Sequence, residues 1–167
     1  MSELITDKMI EDELMPYAGP IFSNQRFLSQ KQYIQHGTFS VYSHELHVAH
    51  FAIKIDRVLR LHCDRKALIR GALLHDYFLY DWHVGGKGDI HPKLHGFYHP
   101  GIALSNADRD FALNDREKDA IRKHMWPLTV IPPSCREAWA VTIADKWATV
   151  WEKTVASQNA THSEKSI

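Results

Sequence analysis

The chain has 167 residues, 44% of them hydrophobic and 24% charged, the proportions of an ordinary soluble chain with enough length for one domain and a sizeable core. Twenty basic residues balance twenty acidic ones, which argues against nonspecific nucleic-acid binding and leaves room only for a local positive pocket. Two cysteines, Cys63 and Cys135, stand in dissimilar settings without CxxC spacing, so a disulfide scaffold is not expected and a reducing compartment suits the chain.

The segment Met1-Ser2-Glu3-Leu4-Ile5-Thr6-Asp7-Lys8 lacks the basic-then-apolar order of a signal peptide, and no apolar run reaches the length of a membrane span. A cytoplasmic location without a membrane partner is the resulting expectation. Helical periodicity dominates from here on. Residues 4–15 read as a first helix. Ser23-Asn24 can start a second, running to about Gln35 before the His36-Gly37 break. Ser40 caps a long helix through about Leu61, on which Val41, Val48, Phe51, Ile55 and Val58 fall at helical spacing and His44 shares their face. Asp64 caps the next, whose stripe Leu68, Ala72, His75 ends on the pair His75-Asp76.

The stretch from Asp81 to about Leu94 interrupts the pattern. Gly85-Gly86-Lys87-Gly88 and Pro92 make it a loop, and its place directly after His75-Asp76 sets it near any site they form. It is not a phosphate-binding P-loop, because GxxxxGK[ST] is missing and no strand leads into it. His99 precedes Pro100, which puts it at the N-terminal edge of a new helix. Asn114-Asp115-Arg116-Glu117 reads as a capping box for a helix reaching His124, stopped by Pro127. Ser134-Cys135-Arg136-Glu137 reads as another, for a helix carrying Asp145 on the side of Ala138, Val141 and Ala148. Beyond about Lys153 the tail, residues 154–167, is polar and reads as frayed. No alternating strand pattern competes, so the fold class expected is all-α in a single domain, with its core over about 24–152.

His44, His75 and Asp145 each project from the apolar stripe of a different predicted helix. A single polar residue there is often a core group bonded to backbone or water. Three of them, with Asp76 beside His75, make two imidazoles and two carboxylates, a set suited to a divalent cation.

The spaced set His44, His75-Asp76, His99, His124, Asp145 resembles the HD superfamily of metal-dependent phosphohydrolases, whose core signature H…HD…D falls on His44, His75, Asp76 and Asp145. His99 and His124 resemble the extension of its dinuclear members, which include cyclic-dinucleotide phosphodiesterases and mixed-valent di-iron oxygenases. The likeness spans roughly residues 24–152. It departs after the motif: many members read HDIGK, whereas this chain reads His75-Asp76-Tyr77-Phe78-Leu79, so the role of that lysine does not carry over. The resemblance implies an all-α HD-domain bundle and a hydrolase for a phosphate ester of a nucleotide or related small metabolite. It also implies one or two transition-metal ions (Fe, Mn, Co or Ni) on His44, His75, Asp76, His99, His124 and Asp145, with Asp76 shared and catalytic. Lys146, next to Asp145, and Lys87, in the loop, are candidate phosphate contacts. The alternatives are a di-iron oxygenase on the same ligands and a non-catalytic, metal-dependent nucleotide sensor. Trp126, Trp139, Trp147 and Trp151 suit either core packing or an interface between copies.

Overall fold

The computed structural model describes residues 6–81, 83 and 94–164. Among them are seven α-helices and one two-stranded hairpin, an all-α architecture. Helix α1 (Asp7–Phe22) starts on a Thr6 cap, runs seven residues past the expected end at 15, and kinks at Ala18 between Pro16 and Pro20. The expected second helix is only one turn, α2 (Gln25–Leu28) capped by Asn24, followed by a 3₁₀ turn (Ser29–Gln32). Residues 34–36 then pair antiparallel with 39–40 as strands β1 and β2. The helix expected to run to about Gln35 is therefore cut short, and two short strands stand where none was expected. Gly37, at φ +59°, supplies a left-handed turn that reverses the chain, and a Cβ at that position would lie 2.7 Å from that of Ala156.

Helix α3 (Val41–Leu59) is capped by Ser40 and ended by Arg60 in the left-handed region, as its pattern indicates. Helix α4 (Arg65–Leu74) is capped by Asp64 and terminates at His75, so the His75-Asp76 pair lies in the buried turn that follows it. Helix α5 (His95–Asp110) begins four residues before His99. His99 therefore sits inside the helix, not at its edge. Pro100 follows within the second turn, where its ring costs one backbone bond and leaves the rest intact. Helix α6 (Asp115–Lys123) carries the full capping box of Asn114 and Glu117 and ends on His124.

Helix α7 (Arg136–Glu164) differs from expectation at both ends. The Ser134 capping box does not form. Ser134 instead donates its N–H to Asp119 Oδ2 and accepts from Lys123 Nζ, while Glu137 accepts from the Asp64 N–H at 2.7 Å and from Arg116 at 2.6 Å. Glu137 thereby ties the start of α7 to those of α4 and α6. At the far end α7 continues to Glu164, because residues 154–164 contain neither glycine nor proline to stop it.

The core is built by α3 packing against α4 and α7, with α6 closing over α4 and α7. Leu46, Ala49 and Ile53 of α3, Leu68, Ala72 and Leu73 of α4, and Val141, Ala144 and Ala148 of α7 are buried together. Gly71 lets α4 and α6 approach closely: a Cβ there would come within 2.9 Å of that of Ala120. Trp126 packs edge-on against Trp139, and Trp151 lies against Phe39, His47 and Phe51, whereas Trp147 is exposed. No helix among the described residues is long and apolar enough to cross a membrane.

Candidate metal centre

All six residues that the sequence singled out as ligands converge. His44 comes from α3, His75 and Asp76 from the turn after α4, His99 from α5, His124 from the end of α6 and Asp145 from α7. Each is buried. Two triplets, His44–His75–Asp76 and Asp76–His99–His124, hold their ligand atoms within 4.8 Å of one another, and either cluster can hold a metal ion. Asp145 Oδ1 lies 3.2 Å from His44 Nε2 and 3.8 Å from His75 Nε2, so it joins the first triplet. Asp76 belongs to both. Its Oδ2 faces His75 Nε2 at 3.6 Å, and its Oδ1 faces His99 Nε2 at 3.1 Å and His124 Nε2 at 3.5 Å.

The hydrogen bonds of the imidazoles fix which nitrogen is available. Nδ1 of His75 donates to the Ala72 carbonyl at 2.7 Å, Nδ1 of His99 to that of His95 at 3.0 Å, and Nδ1 of His124 to that of Ile121 at 2.9 Å. A carbonyl only accepts, so each Nδ1 carries the proton and each neutral ring presents a bare Nε2 lone pair to the centre. The Nε2 atoms of His99 and His124 stand 2.7 Å apart. Two lone pairs at that separation repel unless a proton or a cation lies between them. His75 Nε2 has no hydrogen-bond partner. Asp76 Oδ1 has none either, since His99 Nε2 is within ion-pair distance but not aligned as a hydrogen bond. Buried polar atoms left open in this way are costly, and a divalent cation satisfies the imidazole and the carboxylate together. The donor set therefore fits a metal.

Without a cation, the charges of these side chains respond to this crowding. Burial pushes His44 down, but Glu152 and Asp145 on either side outweigh it and hold its pKa well above the usual value. His75 is likewise raised, by Asp76 and Asp145 against its burial. Burial works against the charged forms of Asp76 and Asp145, yet the surrounding histidines keep both well below the ordinary carboxylate range. His124 goes the other way: burial, with His75 and His99 beside it, brings it to about 3. In the absence of metal, protons on His44 and His75 do part of what a cation would do.

Asp76, His99, His124 and Asp145 line a cleft of about 780 Å³. Lys146 lines it too, its Nζ donating to the His124 carbonyl at 2.9 Å, 3.8 Å from Asp145 Oδ2. Gly96, Met125, Pro127, Leu128 and Val150 contribute an apolar wall. The other predicted phosphate contact, Lys87, lies outside the described residues, as does most of the 81–94 loop.

Three participants escaped the sequence reading. Gln35, on strand β1, donates to Asp76 Oδ2 at 2.6 Å. His95 stacks on His99 and lines the cleft, and burial beside His99 lowers its pKa to about 4. Glu152 is fully buried against His44 and His47. A positional signal exists for His95, which precedes His99 by four residues on one helix face; Glu152 follows Asp145 by seven, but Trp147 and Val150 draw the apolar pattern of that stretch to another side of the helix.

Compared with known protein families, with curated proteins and with solved structures, the chain finds no match.

Proposed function

We propose that this chain is a metal-dependent phosphohydrolase of the HD type, cleaving a phosphate ester of a nucleotide or related small metabolite. The observation that carries the reading is the pair of buried triplets sharing Asp76, with bare imidazole nitrogens turned inward beside a cleft. His44, His75, Asp76 and Asp145 would hold one ion, and Asp76, His99 and His124 a second. Imidazole and carboxylate ligands suit Fe, Mn, Co or Ni. A bound divalent ion supplies an activated water near neutral pH and offsets charge on phosphoryl oxygens.

The chain's own groups do the rest. The Nδ1 bonds to backbone carbonyls lock the rings of His75, His99 and His124 in the orientation that ligation needs. Gln35 holds Asp76 by one oxygen. Lys146 brings a positive charge to the cleft mouth, suited to a phosphoryl oxygen, and the apolar wall suits the organic part of the ester. Cys63 and Cys135 are both unpaired, as suits a cytoplasmic enzyme.

The test is elemental analysis of protein purified without chelator, together with a panel of phosphomonoesters and phosphodiesters assayed with Fe, Mn, Co and Ni. Metal-dependent release of phosphate or of a nucleotide monoester is expected. Iron with strictly oxygen-dependent turnover would make the chain an oxygenase instead. Full metal loading and tight nucleotide binding without turnover would make it a sensor.

A further inference from the structure

We propose that Glu152 is a positioning residue of the metal centre, locking His44 in the one tautomer and orientation that lets its Nε2 bind a cation. The inference rests on the metal reading above. Three of the four proposed imidazole ligands are oriented by a carbonyl of their own helix or turn. His44 is the exception. It is the fourth residue of α3, and its Nδ1 is turned away from its own helix towards α7. Its partner there is Glu152 Oε2, at 3.0 Å.

Helix α7 thus grips both ends of one ring. Asp145 faces Nε2 at 3.2 Å, and Glu152, two turns further along the same face, faces Nδ1. Both carboxylates accept when ionised, so without a cation the ring donates to each; once a cation takes the Asp145 side, Glu152 keeps the remaining proton on Nδ1 and leaves Nε2 to the metal. Glu152 is itself held. Its second oxygen accepts from His47 Nδ1 at 2.7 Å, His47 is flanked by Asp7 at 3.5 Å, and Asp7 accepts from Ser43 at 2.6 Å. The Trp151 ring packs edge-on against His47 and shields this array. A fully buried glutamate with both oxygens committed to histidines, one of them a ligand, is a costly arrangement for packing alone. Orienting the ligand accounts for it.

The experiment measures Zn²⁺ affinity by competition with a chelating dye, in wild type, Glu152→Gln, His44→Ala and the double variant. Glu152→Gln keeps the side-chain shape and removes the charge. Its Zn²⁺ Kd is expected to rise about 10- to 100-fold. In the His44→Ala background the same change should move Kd less than about twofold, because the ring through which Glu152 acts is gone. Equal losses in both backgrounds, or a Glu152→Gln affinity within about threefold of wild type, would overturn the proposal and leave a packing role. A second measurement needs no variant: ¹⁵N spectra of the zinc-loaded wild type should show His44 protonated at Nδ1 and not at Nε2, and the opposite pattern would also overturn it. If wild type binds no Zn²⁺, Mn²⁺ or Fe²⁺ at all, the metal reading itself falls and this proposal with it, an outcome distinct from the other two.

Discussion

Replacing Asp76 by asparagine tests the centre at the one residue both triplets share. The substitution keeps the side-chain volume and an oxygen that can still accept from Gln35, now 2.6 Å from Asp76 Oδ2. It removes the charge that His75, His99 and His124 surround at 3.1–3.6 Å. Removing one partner of a buried charge pair costs about 3–5 kcal/mol. At about 1.4 kcal/mol per tenfold, this weakens metal binding by roughly a hundred- to a few-thousand-fold. Since Asp76 faces both triplets, both ions should be affected. The metal-free fold should suffer less. Asp145 remains 3.8 Å from His75 Nε2 and continues to balance that ring. What is left is a poorly satisfied buried amide, costing about 1–3 kcal/mol. For a chain of this length that is a melting shift of roughly 2–12 °C. Circular dichroism, melting in chelator and metal stoichiometry are measured on the same preparation. The reasoning fails if Asp76→Asn binds metal within about threefold of wild type, or if its affinity and its helical content fall together.

Three further expectations concern separate parts of the site. His99→Ala or His124→Ala should lower the metal content from two ions to one while His44, His75 and Asp145 keep the other; retention of two ions in both variants would remove these histidines from the ligand set. Lys146→Met should raise KM for a phosphate ester about ten- to a hundredfold, the loss of one charge-assisted hydrogen bond, with metal affinity unchanged; an unchanged KM would leave Lys146 as a cap on the His124 carbonyl only. On pH, His44 gains Glu152 and Asp145 on folding, so its folded pKa lies above the unfolded value of roughly 6.5. The stability it contributes is complete below that value and is lost as pH rises through the folded pKa. Chelated protein should therefore melt lower at pH 9 than at pH 7.5, a window above the unfolded histidine range in which His95 and His124, neutral in the fold, add no opposing change. Metal binding displaces those protons, so metal affinity should rise over the same interval. A chelated melting temperature that climbs from pH 7.5 to 9, or an affinity indifferent to pH, would contradict the assignment.

The candidate ligands and the residues that support them differ in how visible they are in the sequence, and the reason is how far the local pattern itself requires their burial. His44, His75 and Asp145 interrupt apolar stripes at helical spacing, so burying them is written into their own neighbours. Gln35 sits on a three-residue strand, too short for alternation to show, and only the turn at Gly37 brings it to Asp76. Glu152 lies where the pattern is inverted. Trp147 and Val150 of α7 are 62% and 66% exposed while Glu152 is fully buried, so hydrophobicity there points the wrong way round the helix. Such an inversion is stable only if the buried group finds partners outside its own helix, and those partners, His44 and His47, lie more than 100 residues away. Periodicity reads what a helix buries against apolar neighbours. It cannot read a carboxylate whose reason for burial is an imidazole on another helix. The same inversion leaves Trp147 and Val150 facing outward, with Val150 lining the cleft, so the contact between Glu152 and His44 and the apolar surface of the cleft come from one choice of helix rotation. Turning α7 to bury Trp147 would withdraw Glu152 and move Asp145 away from His44 and His75, and the buried histidines would lose the carboxylates that balance them. The rotation is held by the polar centre against the apolar pattern of its own helix.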